Sequence, residues 1–141
     1  MLESVFGGLA QWGPVFLRLG AGITFIVHGY PKLFGDTPGP KKFAQYLHSL
    51  GFQPPLFWAY LVGIVEFFGG IGLIIGFLTR LVALLLTIEF LVIVLRIKWS
   101  KGFKLEQGGW EWDWALLTIV AALLVMGPGR AALDHTIRTG L

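Results

Sequence analysis

The chain of 141 residues contains no cysteine, which excludes disulfides, thiolate metal sites, iron–sulfur ligation and thiol redox chemistry carried by its own residues. Charge is scarce as well: Asp, Glu, Lys and Arg together make up 13% of the residues, against 55% hydrophobic. A soluble domain of this length needs a large polar surface, and there are too few polar side chains here to build one. Histidine occurs three times and only once within apolar sequence, so a bis-histidine haem held by this chain alone is not expected. The glycines, 20 in all, follow no strand pattern and form no phosphate-binding loop, and no flavin or nicotinamide fingerprint is present. The stretch before Pro14 lacks a basic segment and no small-residue cleavage site follows the first apolar run, which speaks against a removable signal peptide.

What remains is apolar sequence in long runs, with a mean hydropathy of +0.74. Four runs are of spanning or near-spanning length: about 14–34, 56–78, 81–97 and 112–127, the last only if the aromatic stretch WEWDW continues its helix. The expected fold is therefore all-α, an integral membrane four-helix bundle forming a single domain over residues 1–141. Pro14 suits the first turn of the first helix, and Gly127, Pro128 and Gly129 stop the last. Only Thr79 and Arg80 separate the second and third runs, which forces an antiparallel hairpin there. Between the first two spans, GDTPGPKKFAQYLHSLGFQPP places Phe43, Leu47 and Leu50 at helical spacing, the pattern of a short amphipathic helix at the interface. Its His48 is expected to be a plain solvated histidine.

The net charge of +3 and pI near 9.5 do not point to nucleic acid, because the basic residues flank the apolar runs, where topology and anionic lipid account for them. Four spans put both termini and Arg80, Arg130 and Arg138 on one side. Lys32, Lys41, Lys42, Lys98, Lys101 and Lys104 fall on the other. The positive-inside rule then makes the lysine-rich side cytoplasmic and turns both termini outward from the cell's inner membrane. Tryptophans 110, 112 and 114 fit an interfacial belt, and glycines 20, 22, 63, 69, 70, 72 and 76 fit close helix packing.

The charges inside the spans carry the functional information, since each costs a few kcal/mol in hydrocarbon unless paired, hydrated or snorkelled. Counting from each span's midpoint, Glu66 and Glu89 fall near the midplane, and His28 lies about 6 Å toward the lysine-rich side. Arg18 and Arg96 lie about 9–10 Å from the midplane on opposite sides, close enough to snorkel to their own interfaces. The glutamates have no such reach and must turn inward, and His28 is expected to face Glu66 from the neighbouring helix.

The order of three blocks resembles the DoxX family of small four-helix membrane proteins: His28, Gly29 and Lys32 ending the first span; LVGIVEFFGGIGLIIGFLTR with Glu66, Gly70, Gly76 and Arg80; and GGWEWDWALLTIVAALLVMGPGRAALD with Glu111, Gly127, Gly129, Arg130 and Asp134. Glu89 departs from the apolar residue expected at that place. The resemblance extends to the membrane subunit of a thiosulfate:quinone oxidoreductase, and it implies a quinone-interacting redox subunit of a membrane oxidoreductase, with electrons from a partner subunit or a small reductant. In that reading His28 and Glu66 are the catalytic pair that bonds a quinone carbonyl and moves protons, and Lys32, Glu89 and Glu111 complete the quinone site and its path to water. No metal ligand set is expected. The expected partners are membrane lipid and a protein partner subunit or a second copy, and the alternative is a non-catalytic accessory or assembly subunit of a larger complex.

Overall fold

The computed structural model describes residues 2–137; Arg138, counted above on the terminal side, lies outside the described residues. Among these residues the chain is helical throughout, without a strand. A short α1 (Leu2–Phe6) and a 3-10 turn lead into α2 (Gly13–Leu33). The amphipathic α3 (Gly39–Ser49) follows, then α4 (Pro55–Ile75), α5 (Thr79–Val92) continued by a π-helix (Ile93–Lys98), α6 (Glu111–Met126) and α7 (Leu133–Ile137).

Local signals set the helix ends. Prolines open α2 and α4, where their missing N–H is no loss. Gly76 closes α4 in the left-handed region, at φ 69°, so that the Gly76 N–H reaches the Leu73 carbonyl and the Phe77 N–H reaches Gly72. The apolar-run expectation therefore locates all four long helices, but only the stretch Gly7–Leu33 and α4 are long and apolar enough to cross a membrane as single continuous helices. The third run is divided between α5 and the π-helix, and α6 has 16 residues.

Helix α2 packs along α4, and α5 along α6. The α2–α4 seam depends on glycine: a methyl group at Gly70 would lie 2.7 Å from the Gly22 carbonyl oxygen, and one at Gly29 would lie 2.5 Å from the Phe67 nitrogen. Neither backbone can retreat, so the two helices meet more closely than any larger residue allows. The core is completed by Phe25, Leu73, Leu86, Phe90, Val120 and Leu123. Residues Phe16, Ile23, Val27, Phe57, Ile64, Phe68, Leu95 and Val125 face outward, an exposed apolar surface of the kind that marks membrane contact. As the spacing of Phe43 and Leu47 implies, α3 lies against α4, with Ala44 and Leu47 buried on Ala59.

At the end of the bundle where α2 begins and α6 stops, the terminal end, Arg18 overturns the snorkelling expectation. It is 1% exposed, and its guanidinium donates to five main-chain carbonyls: Leu73 at 2.7 Å, Ile74 at 2.9 Å, Pro128 at 2.9 Å, Arg130 at 3.1 Å and Ala131 at 3.2 Å. The side chain does lean toward its own end of the helix, but there it meets the C-terminal end of α4 and the chain leaving α6 instead of water. Asp134 closes the same end by accepting from the N–H groups of Leu78 at 2.7 Å and Thr79 at 3.0 Å, the open first turn of α5. Arg96, by contrast, is exposed, with its guanidinium 5.0 Å from the Phe52 ring.

Replacing Arg18 by Met leaves these carbonyls without donors, at about 1–3 kcal/mol for each one that stays buried. Thermal unfolding in detergent should show a large loss of stability for Arg18→Met. Arg18→Lys, with three donors, should fall between the variant and the parent.

Candidate functional site

The opposite half of the bundle contains a cavity of about 180 Å³. Helix α2 contributes Phe25, His28 and Lys32, and α4 contributes Glu66. Phe90, Ile93 and Lys98 reach it from α5 and its π-helical continuation, and Trp112, Asp113 and Leu116 from α6. Its walls are thus aromatic and aliphatic, with two lysine–carboxylate pairs set into them.

Glu66 stands in the row Ala59, Gly63, Glu66, Gly70 and Leu73, the buried stripe of α4, and is 2% exposed. Lys32 donates to its Oε2 at 2.5 Å, and the same ammonium lies 4.9 Å from the Phe43 ring of α3. Lys32, and not His28 as expected, is thus the inward partner of Glu66. Side chains lean toward the N-terminus of their helix, so the long lysine stem at the end of α2 points back into the bundle, below the depth of its own Cα. His28 lines the cavity at its exposed mouth and makes no hydrogen bond among the described residues.

Glu89, on α5, stands close to Glu66 and Lys32. Its Oε1 is buried without a partner. Glu89 does not line the cavity itself.

Glu111 is not brought to the site. It is exposed, and its Oε2 accepts from the Leu105 N–H at 3.0 Å, holding the loop that precedes α6. Asp113 takes the inward place. It belongs to the buried row Asp113, Leu116, Leu117, Val120 and Leu123, and it accepts from Lys98 at 2.7 Å. That row is visible in the sequence at helical spacing and distinguishes Asp113 from Glu111. The inward role of Lys98 has no such signal. In an α-helix Ile93 and Lys98 would point about 140° apart, and the wider π-helical turn brings them toward one face. Trp110 stacks on Trp99 at 5.5 Å beside this loop, so the tryptophans divide between an aromatic cluster and, through Trp112, the cavity wall. His48 is exposed and bonds Gln53.

A helical chain with an apolar exterior and buried ion pairs belongs to the membrane proteins. The sequence pattern of the DoxX family matches residues 13–99, and the chain belongs to that family. It is 30% identical over 128 residues to a protein of Bacillus subtilis (strain 168) named "Putative oxidoreductase CatD", covering 91% of this chain and 89% of the other. It is 31% identical over 134 residues to "Uncharacterized membrane protein Rv3486" of Mycobacterium tuberculosis (87% and 80% covered), and 28% identical over 130 residues to "Inner membrane protein YphA" of Escherichia coli (strain K12) (86% and 90%). No solved structure matches the chain.

Removing one member of the Lys32–Glu66 pair strands the other in a buried place, at about 3–5 kcal/mol. Lys32→Met and Glu66→Leu should each destabilise the protein by this order in thermal or denaturant unfolding, and the double variant by less than the sum. Additive losses would show that the two groups do not depend on each other.

Proposed function

We propose that the chain is a quinone-interacting redox subunit of a membrane oxidoreductase, and that the cavity between α2, α4, α5 and α6 receives the quinone ring. The observation that carries this reading is the joining of a ring-sized, largely apolar cavity to lysine donors and a buried carboxyl group, Glu66, on its wall. An engineered cavity of about 150 Å³ takes up benzene, so a space of about 180 Å³ suits a single six-membered ring and excludes a nucleotide cofactor. Phe25, Phe90 and Trp112 provide flat apolar walls, and Lys32, Lys98 and His28 are donors that can meet carbonyl oxygens. A quinone supplies two-electron, two-proton carrier chemistry when bound.

The chain's own part is to hold and move protons. Glu66 borders the cavity with Glu89 close by, so a proton moved through Glu66 reaches the open space directly. Lys32 holds Glu66 in place and balances its charge, and Lys98–Asp113 does the same on the opposite wall. His28 at the mouth is suited to exchange protons with water. Electrons come from outside the chain, from a partner subunit or a small reductant, because no side chain here stores them.

The same reading makes the protein a single four-span domain of the cell's inner membrane. The lysines that remain unpaired on the loop side, Lys41, Lys42, Lys101 and Lys104, support a cytoplasmic location for that side and an outward one for the termini.

Trp112 borders the cavity, so a short-chain benzoquinone should quench part of the tryptophan fluorescence of the purified protein saturably. Trp112→Phe should remove that saturable component, and Lys32→Met should weaken binding about tenfold, the effect of losing one charged donor. In protein that still assembles, Glu66→Gln should lower quinone reduction. Unchanged reduction would remove Glu66 from the proton path, and absence of saturable quenching together with a stoichiometric protein partner would favour the accessory-subunit alternative.

A further inference from the structure

A second cleft, of about 810 Å³, opens at the terminal end of the bundle, away from the quinone cavity. It lies between the first turn of α2, the first turn of α5 and the chain leaving α6, and its titratable lining residues are Arg80, Arg130 and His135. Among the described residues no acidic side chain lines it. The nearby Asp134 is directed to the main chain of Leu78 and Thr79.

Among the described residues, the three arginines of this end differ in how fully their donors are used. Arg18 is saturated by five carbonyls. Arg80 has one long hydrogen bond, 3.4 Å to the Val125 carbonyl, and Arg130 donates its Nε to Gln11 Oε1 at 2.7 Å while its terminal nitrogens have no acceptor among the described residues. Two guanidinium groups with free donors on one cleft are suited to an oxyanion, since their planar forks match phosphate oxygens in pairs. The other walls are apolar, Pro14, Met126 and Ala131 among them, and the cleft sits at helix ends, the level at which lipid headgroups lie.

From this we infer that the Arg80–Arg130 cleft binds a phosphate-bearing anion, supplied by the headgroup of an anionic phospholipid. The apolar walls and a volume several times that of a free phosphate favour the lipid as the source. Arg80 and Arg130 hold the phosphate oxygens, and the glycerol and upper acyl carbons lie against the apolar wall. The site is independent of the quinone cavity and of any redox role.

Native mass spectrometry of the full chain, incubated separately with dioleoylphosphatidylglycerol, dioleoylphosphatidylcholine and inorganic phosphate, tests this. The wild type should retain the anionic lipid in preference to the zwitterionic one, and each arginine removed should cost about fivefold in retention. R80Q/R130Q should lose the preference, whereas K41Q/K42Q, which removes equal charge from α3, should keep it. Arginine-dependent retention of inorganic phosphate without a lipid preference would support the anion site and assign it to a free anion. Equal retention of phosphatidylglycerol by wild type and R80Q/R130Q overturns the proposal. If the double variant does not fold by circular dichroism, R80Q alone decides: its guanidinium contributes only one long internal bond, so unaltered lipid retention in R80Q likewise overturns the site.

Discussion

The arrangement of the bundle depends first on one buried cation. Arg18 draws together the last turn of α4 and the segment after α6 through carbonyl oxygens alone. Helix ends leave carbonyls without partners, and in an apolar surrounding each is costly; a single guanidinium with five donors answers several at once. With Asp134 meeting the complementary N–H groups at the start of α5, the terminal end of the molecule is tied by main-chain contacts. That firmness leaves the opposite half free to contain a cavity, a feature that a bundle held only by uniform core packing would tend to fill.

The two halves use charge differently. At the terminal end, Arg18 and Asp134 meet the backbone. In the cavity half, Lys32–Glu66 and Lys98–Asp113 are paired side chain to side chain, and each pair borders open space. A group entering that space can share a donor already present, without uncovering an isolated charge. Close packing at Gly29 has a part in this: it brings α2 against Glu66 and Phe67, so that Lys32 can reach across the seam.

The long helices were legible in the sequence to within a few residues, because their signals are local: proline in the first turn, glycine past the last, apolar runs between. The inward direction of Glu66 and Glu89 was legible too, since a short acidic side chain in the middle of a span has nowhere else to go. Partners were not. Depth counted at Cα favoured His28 as the partner of Glu66, whereas the lysine stem of Lys32 carries its charge a turn away from its own Cα. Arg18 was misplaced because its acceptors are carbonyls, which no residue type announces. Asp113 was available from the buried row on α6, whereas Lys98 required a π-helical turn that a helical repeat of 3.6 residues does not suggest.

Arg18 recognises backbone, and this bears on how the family can vary. The residues whose carbonyls it binds, Leu73, Ile74, Pro128, Arg130 and Ala131, are held by the path of the chain and not by their side chains. Substitution at these places costs the arginine nothing so long as the path is kept. The C-terminal segment lies beyond the stretch matched by the family pattern, residues 13–99, yet it supplies three of the five acceptors. It is the path of that segment, more than the side chains of its acceptor residues, that is fastened to an arginine more than a hundred positions earlier.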